Sequence, residues 1–381
     1  MPDRDHIFLN AKIVLPDQVI DGGLSERGGR IAAIAEGPTA ATGHDCEGDF
    51  LIPGLVELHT DHLETHYAPR PKVRWHPVAA VQAHDAQIAC AGITTVFDAL
   101  RVGMDDEADL KVADMRKLAD AIETGLSEDR LRADHFIHLR CEVSAPDVMG
   151  SFAWFDNDAR VRLVSLMDHT PGQRQFTSLD AYRIYYQGKK GFSDEAMDAY
   201  IRMRQEKASK VTPENRRAIA DAARARGIIV ASHDDATFEH VEEAVELSTA
   251  IAEFPTTVQA ARASHEAGMK VLMGAPNVVR GGSHSGNVSA RELAENGLLD
   301  VLSSDYIPAS LLQAAFQLAD EIEAISLPDA IGMVSRTPAE AVGLTDRGAI
   351  LEGRRADLVQ VRLVGNVPVV RGVWREGRRV A

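Results

Sequence analysis

Leu51-Ile52-Pro53-Gly54-Leu55-Val56-Glu57-Leu58-His59-Thr60-Asp61-His62 is the stretch from which the fold is read. Pro53 and Gly54 punctuate the entry to an apolar run, and Leu55 to Leu58 have the character of a short buried strand. Side chains alternate along a strand, so the period places His59 and Asp61 on one face and turns His62 away. Imidazole beside carboxylate at a strand end suits a borderline cation such as zinc. Taken alone, the cluster is read equally well as a solvated strand terminus.

The rest of the chain repeats the pattern. Strand-like runs follow at Ile93–Phe97, Phe136–Val143, Leu163–Met167, Ile228–Ser232, Ile251–Phe254, Val271–Met273 and Val301–Ser304. Helical patterns lie between most of them, among them Pro77–Ala91, Glu107–Thr124, Pro213–Arg226 and Phe238–Leu247. Such alternation predicts a parallel sheet, and eight strands in roughly 250 residues suit a closed barrel. Residues 193–210 are charged and read as helix on an extended loop. Both ends of the chain are instead rich in short β-like runs and glycine turns. At the N-terminus these are Ile7–Leu9, Ile13–Leu15 and Arg30–Ile34, with turns at Asp21-Gly22-Gly23 and Arg27-Gly28-Gly29. At the C-terminus they are Ala356–Val361 and Pro368–Trp374, with turns at Gly365-Asn366 and Glu376-Gly377. The predicted fold class is therefore α/β: a (β/α)8 TIM-like barrel over 53–345, and a small β-sandwich built from 1–52 and 346–381.

Composition narrows the function. The 381 residues carry a formal charge of −16, which argues against a general nucleic-acid binder. The hydrophobic share of 45% and charged share of 26% are those of a soluble globular protein. The start of the chain lacks a basic n-region and a long apolar run, and no run approaches a membrane span. Cys46, Cys90 and Cys141 are scattered and odd in number, which fits a reducing cytoplasm. A homo-oligomer is left open.

In a barrel of this kind chemistry gathers at the C-terminal ends of the strands. Here those ends carry His59-Thr60-Asp61, Asp168-His169, His233-Asp234-Asp235 and Asp305. The third strand places His138, Arg140 and Glu142 on one face and Ile137, Leu139, Cys141 and Val143 on the other. Burying the polar set requires pairing or a metal, and an ion-pair network is the alternative to a metal site. The candidate metal ligands are His59, Asp61, Glu142, His169, His233 and Asp305, around one or two divalent ions, with zinc preferred. A metal brings the pKa of bound water toward neutrality. Asp305 is the candidate to take the proton of the attacking water.

The chain resembles the amidohydrolase superfamily of metal-dependent hydrolases over nearly its whole length. Within it, the resemblance is to the phosphonate-metabolism branch that serves C–P bond cleavage. The phrases that carry it include His59-Thr60-Asp61-His62-Leu63-Glu64, Asp168-His169-Thr170-Pro171-Gly172-Gln173-Arg174-Gln175-Phe176, Ser232-His233-Asp234-Asp235-Ala236-Thr237 and Gly281-Gly282-Ser283-His284-Ser285-Gly286-Asn287. The resemblance implies hydrolysis of α-D-ribose 1-methylphosphonate 5-triphosphate to the 5-phosphate and pyrophosphate. The chain departs from the superfamily by carrying His59-x-Asp61 where His-x-His is usual. It also puts His169 and His233 on the fourth and fifth strands, where many members use the fifth and sixth.

A triphosphate needs cationic partners. Arg140 faces the predicted barrel interior, and an arginine fork suits phosphate oxygens. Arg280 leads into the Gly282-Ser283-His284 loop, whose backbone N–H groups are of the anion-nest type. Lys189-Lys190 is a second basic pair, and Arg70, Lys72 and Arg74 are a third group. The bland explanations are a flexible connection and solvated surface charge. Two other functions compete: an amide-type hydrolase such as an N-acyl amino acid deacylase or deaminase, and a scaffold without catalysis.

Overall fold

The computed structural model describes residues 6–38, 40–103, 109–174, 179–180, 182–183, 192–282 and 287–381. The N-terminal segment forms β1 (His6–Val14), β2 (Val19–Arg27), β3 (Arg30–Glu36), β4 (His44–Asp45) and β5 (Phe50–Pro53). Eight further strands follow: β6 (Leu55–Thr60), β7 (Ile93–Val102), β8 (Asp134–Glu142), β9 (Val161–Met167), β10 (Ile229–His233), β11 (Ile251–Glu253), β12 (Lys270–Gly274) and β13 (Val301–Ser303). The C-terminus adds β14 (Leu358–Val364), β15 (Val367–Arg375) and β16 (Arg378–Arg379). The helices that bear on the site are α1 (His62–Tyr67), α2 (Pro77–Cys90), α3 (Val112–Ser127), α4 (Val148–Ala153), α5 (Asp194–Ala225) and α6 (Phe238–Glu246).

β6 to β13 pair in sequence order, all parallel, and every one of the eight expected strands is present. The barrel closes between its last and first strands. Asp305 N–H donates to the His59 carbonyl at 3.1 Å, Asp61 N–H donates to the Asp305 carbonyl at 3.2 Å, and Ser303 Oγ donates to the His59 carbonyl at 2.6 Å. Glu57 fastens the same seam. Its wholly buried carboxylate accepts the N–H of His59 at 2.6 Å and that of Ser304 at 2.6 Å. His169 and His233 thus do lie at the ends of the fourth and fifth strands.

The third barrel strand shows why the sequence alternates as it does. Ile137, Leu139, Cys141 and Val143 pack into one apolar cluster with Met115, Leu118 and Ile122 of α3 and Ile219 of α5. Burying each large side chain contributes about 1.5–3 kcal/mol. That burial fixes the register, and the register turns His138, Arg140 and Glu142 the other way.

β1–β5 and β14–β16 form one continuous sheet, in the order β16-β15-β14-β5-β1-β2-β3 with β4 beside β1. It curls over its own core of Phe8, Ile13, Leu24, Ile31, Leu358 and Trp374. β14 pairs antiparallel with β5, which joins the C-terminus to the strand feeding the barrel. Gly54 stands at the crossing. A Cβ there would lie 2.2 Å from Thr94 Oγ1, so no larger residue fits without a shift. The two strands expected at Ile7–Leu9 and Ile13–Leu15 are one strand, kinked where Asn10 adopts a φ of 52°. The turn expected at Gly22-Gly23 lies inside β2. These glycines allow close approach of neighbouring strands, since a Cβ on Gly22 would meet the Ala35 carbonyl at 2.0 Å. Ser193 caps α5, and residues 194–210 belong to it; the helix runs on through Pro213 rather than standing apart on a loop. The price of that proline is one lost backbone hydrogen bond in the helix interior.

Burial lifts the Glu57 carboxyl from its ordinary 4.5 to about 7. The folded protein therefore holds that proton more tightly than the unfolded chain does. Its contribution to stability is complete below about pH 4.5 and is lost as the pH rises to about 7. Denaturant melts of wild type and Glu57→Gln across this range should show the wild type losing stability relative to the variant. Parallel curves would mean that Glu57 does not titrate there. Glu57→Ala leaves two buried N–H groups unpaired and is expected to cost about 2–5 kcal/mol.

Candidate metal-binding active site

The C-terminal ends of the barrel strands surround one cleft. His59, Arg140, His169, His233 and Asp305 line it together with Asp234. Phe254, Tyr306, Asn277 and Arg280 complete much of its wall. Its space, open mouth included, is about 810 Å³.

Buried carboxylates hold the three histidines. Glu253 accepts Nδ1–H of His59 at 3.2 Å through one oxygen and Nδ1–H of His233 at 3.0 Å through the other. Ser165 Oγ donates to Glu253 as well, at 2.6 Å. On the far side, Glu142 Oε2 meets His169 Nδ1 at 2.5 Å, while its other oxygen takes the His169 N–H at 3.0 Å and the Ser144 hydroxyl at 2.5 Å. The nitrogen left for a cation on His59 and on His233 is therefore Nε2. One Asp234 oxygen lies 3.5 Å from His233 Nε2 and 3.9 Å from His169 Nε2. Donor atoms of His169, His233 and Asp234 all stand within 4.8 Å of one another, as do those of His59, His138 and Glu253. Imidazoles facing a carboxylate, each steadied by a second carboxylate behind it, are a donor set that fits a divalent cation.

The loops that carry these residues are pinned from outside. Arg174 bonds Asp235 and reaches Glu243 at 2.6 Å. Arg216 reaches Glu243 at 2.6 Å and Asp168 at 3.0 Å, and Asp168 in turn accepts from Thr170. The neighbours of His169 and His233 in sequence are thus tied to each other and to α5 and α6. Asp234 and Asp305 both adopt left-handed backbone, with φ of 57° and 55°. Aspartate tolerates this conformation better than most residues.

Electrostatics sorts the charged groups. Burial opposes ionisation of Glu253, yet His59 beside it and the hydrogen bonds from His233 and His59 hold its carboxyl far below the usual range. Burial likewise opposes ionisation of Glu142, and His169, Arg101 and Ser144 reverse it. Burial pushes Asp305 upward, and Asp61 adds to the rise. Burial presses His138 down to about 3, so this ring is neutral.

His59, His169, His233 and Asp305 meet in the cleft, and so do Arg140 and Arg280. Asp61 stands apart. β6 ends at Thr60, and Asp61 caps α1, so the strand period stops short of it. Its carboxylate pairs with Arg140 at 3.0 Å. Glu142 lies behind His169 rather than on the cleft wall. Gly282 follows the left-handed Gly281 that ends the helix of Ala275–Arg280, off the lining. Lys189, Lys190, Ser283 and His284 lie outside the described residues. Arg70 and Lys72 are exposed, and Arg74 is paired with Asp109 at 3.0 Å. Sequence reasoning missed Asp234 and Glu253. Glu253 did leave a signal, as the sole charge within Ile251-Ala252-Glu253-Phe254.

Removing the shared anchor tests this arrangement. Glu253→Ala leaves Nδ1 of two histidines without an acceptor, and metal affinity should fall about 10–100-fold, as when other such partners are lost. Competition with a chromophoric chelator reads this directly; unchanged affinity would show that the anchor is dispensable.

Comparison with known proteins adds a family. The sequence model of the amidohydrolase family matches residues 157–381. The alpha-D-ribose 1-methylphosphonate 5-triphosphate diphosphatase of Escherichia coli (strain K12) is 48% identical over 376 residues, covering 98% of this chain and 100% of its own. Imidazolonepropionase of Deinococcus radiodurans is 24% identical over 355 residues, 89% of this chain and 85% of its own. Among solved structures, N-acetylglucosamine-6-phosphate deacetylase from Pasteurella multocida superposes with a TM-score of 0.63 at 14% identity, covering 99% of each chain. The 5-methylcytosine deaminase from Klebsiella pneumoniae gives 0.65 at 16% identity, covering 98% of each. At such identities these structures speak for the fold alone.

Proposed function

The chain belongs to the amidohydrolase family, and from that premise we propose that it is a metal-dependent hydrolase of α-D-ribose 1-methylphosphonate 5-triphosphate, releasing the 5-phosphate and pyrophosphate. The likeness to the E. coli diphosphatase over nearly the whole chain carries this reading. The cleft supports it by setting Arg140 and Arg280 beside the histidines, where a highly anionic substrate needs them.

His169 and His233 are the common members of the proposed metal seat, with His59 beside them. Asp234 is the carboxylate in front of the two rings. Glu142 supports the seat from behind, where it fixes the His169 ring. Asp61 acts through Arg140, which it orients. Three imidazoles favour zinc over magnesium or calcium, which prefer oxygen ligands. A divalent cation held by these residues would supply positive charge to phosphoryl oxygens and acidify water. Asp305 takes the proton of the attacking water, a role that its burial and raised pKa favour. The bond that breaks is the anhydride joining the first and second phosphates of the triphosphate. Arg140 and Arg280 bind the phosphate oxygens and carry the charge that builds on the departing pyrophosphate.

Among the described residues no helix is long and apolar enough to cross a membrane. Cys46, Cys90 and Cys141 are all free thiols, two of them buried, which supports a reducing cytoplasm as the working compartment.

A zinc-loaded preparation assayed with the triphosphate and with N-acyl amino acids should release pyrophosphate and leave the amides intact. Amide turnover without pyrophosphate would overturn the reading. Asp305→Asn should fold normally and lose about 10²–10⁴-fold in kcat. His233→Ala should lose turnover together with the metal of the strand-end cleft. An Asp305→Asn enzyme of near-normal rate would remove Asp305 from proton transfer.

A further inference from the structure

His62 and His66 stand one turn apart on α1, and His84 faces them from α2. Ring centroids are 4.9 Å apart for His62 and His66, and 5.9 Å apart for each of these with His84. One ring nitrogen from each of the three lies within 4.8 Å of the other two. None of the three lines the strand-end cleft.

Each ring also has a buried nitrogen with nothing to bind. His62 Nδ1, His66 Nε2 and His84 Nδ1 are shielded from solvent and have no hydrogen-bond partner among the described residues. Desolvated polar atoms without partners are costly, and three of them in one cluster point to a missing shared partner. The third ring is oriented as a ligand would be. His84 Nε2 lies 2.8 Å from Asp98 Oδ1, and an ionised carboxylate only accepts. The His84 proton therefore sits on Nε2, leaving Nδ1 as the lone pair. Asp98 is itself steadied by His135 Nδ1 at 2.7 Å. A carboxylate behind a histidine, fixing its tautomer and ring plane, is the usual support of a metal ligand. His84 is fully buried, whereas His62 and His66 are half-buried, so ions have a way in.

We propose that His62, His66 and His84 form a second metal site, a three-imidazole seat for a borderline divalent cation such as Zn2+. The ion fastens α1 to α2. Because α1 begins at Asp61's own cap position, the site steadies the partner of Arg140 without touching substrate.

The full-length protein, stripped with chelator and reloaded with Zn2+, tests this by metal count. Wild type should retain one more equivalent than His66→Gln or the pair His62→Ala with His66→Ala. His233→Ala, disabled in the strand-end cleft, should still hold one equivalent, and Zn2+ should still raise its Tm. Co2+ in His233→Ala should give visible d–d absorption that disappears when His66→Gln is added. Melting curves confirm that each variant is folded, and His66→Gln serves should the double alanine fail. Equal zinc content in wild type and folded His66→Gln, or a folded His233→Ala that holds no zinc, would overturn the proposal. Either result leaves the assignment of the cleft untouched.

Discussion

A buried carboxylate cannot be solvated and must find its partners inside the protein. Glu253 finds them in His59, His233 and Ser165, and the active-site region depends on that solution. One side chain on the sixth barrel strand sets the rings of the first and fifth. Glu142 does the corresponding work for His169 from the third strand. Imidazoles presented by three different strands thus acquire fixed orientations before any cation arrives. The barrel seam contributes to the same end, because Glu57 locks the first strand to the last at the level of His59 and Asp305.

Outside this layer a second set of charges holds the loops. The Arg174, Asp235, Glu243, Arg216 and Asp168 network ties the segment after the fourth strand to that after the fifth. The chain is acidic as a whole, at −16, yet its cleft presents Arg140 and Arg280. Net charge therefore said little about the substrate. Local placement of a few guanidinium groups decides where an anion can sit.

The barrel was legible because burial enforces pattern. The outer face of β8 had to be apolar to meet α3 and α5, so its inner face could be read from the sequence. The histidines at the strand ends were legible for the same reason. What was not legible arises where the chain leaves regular structure. Asp61 follows the strand period only on paper, because the strand stops at Thr60 and a helix begins. Gly22 and Gly23 looked like a turn, yet they serve close packing between strands, which only the third dimension reveals. Asp234 and Glu253 were hidden because their roles come from residues distant in sequence. The period ends at Thr60, so the direction of His62 is set by α1. The company it finds there, His66 and His84, required the packing of α1 on α2.

Anomalous diffraction at the zinc edge, on crystals of the zinc-loaded protein, tests the central claim most directly. The account predicts a peak in the strand-end cleft, bounded by His169 and His233 with Asp305 alongside. A fully loaded crystal with no anomalous peak in that cleft would contradict it.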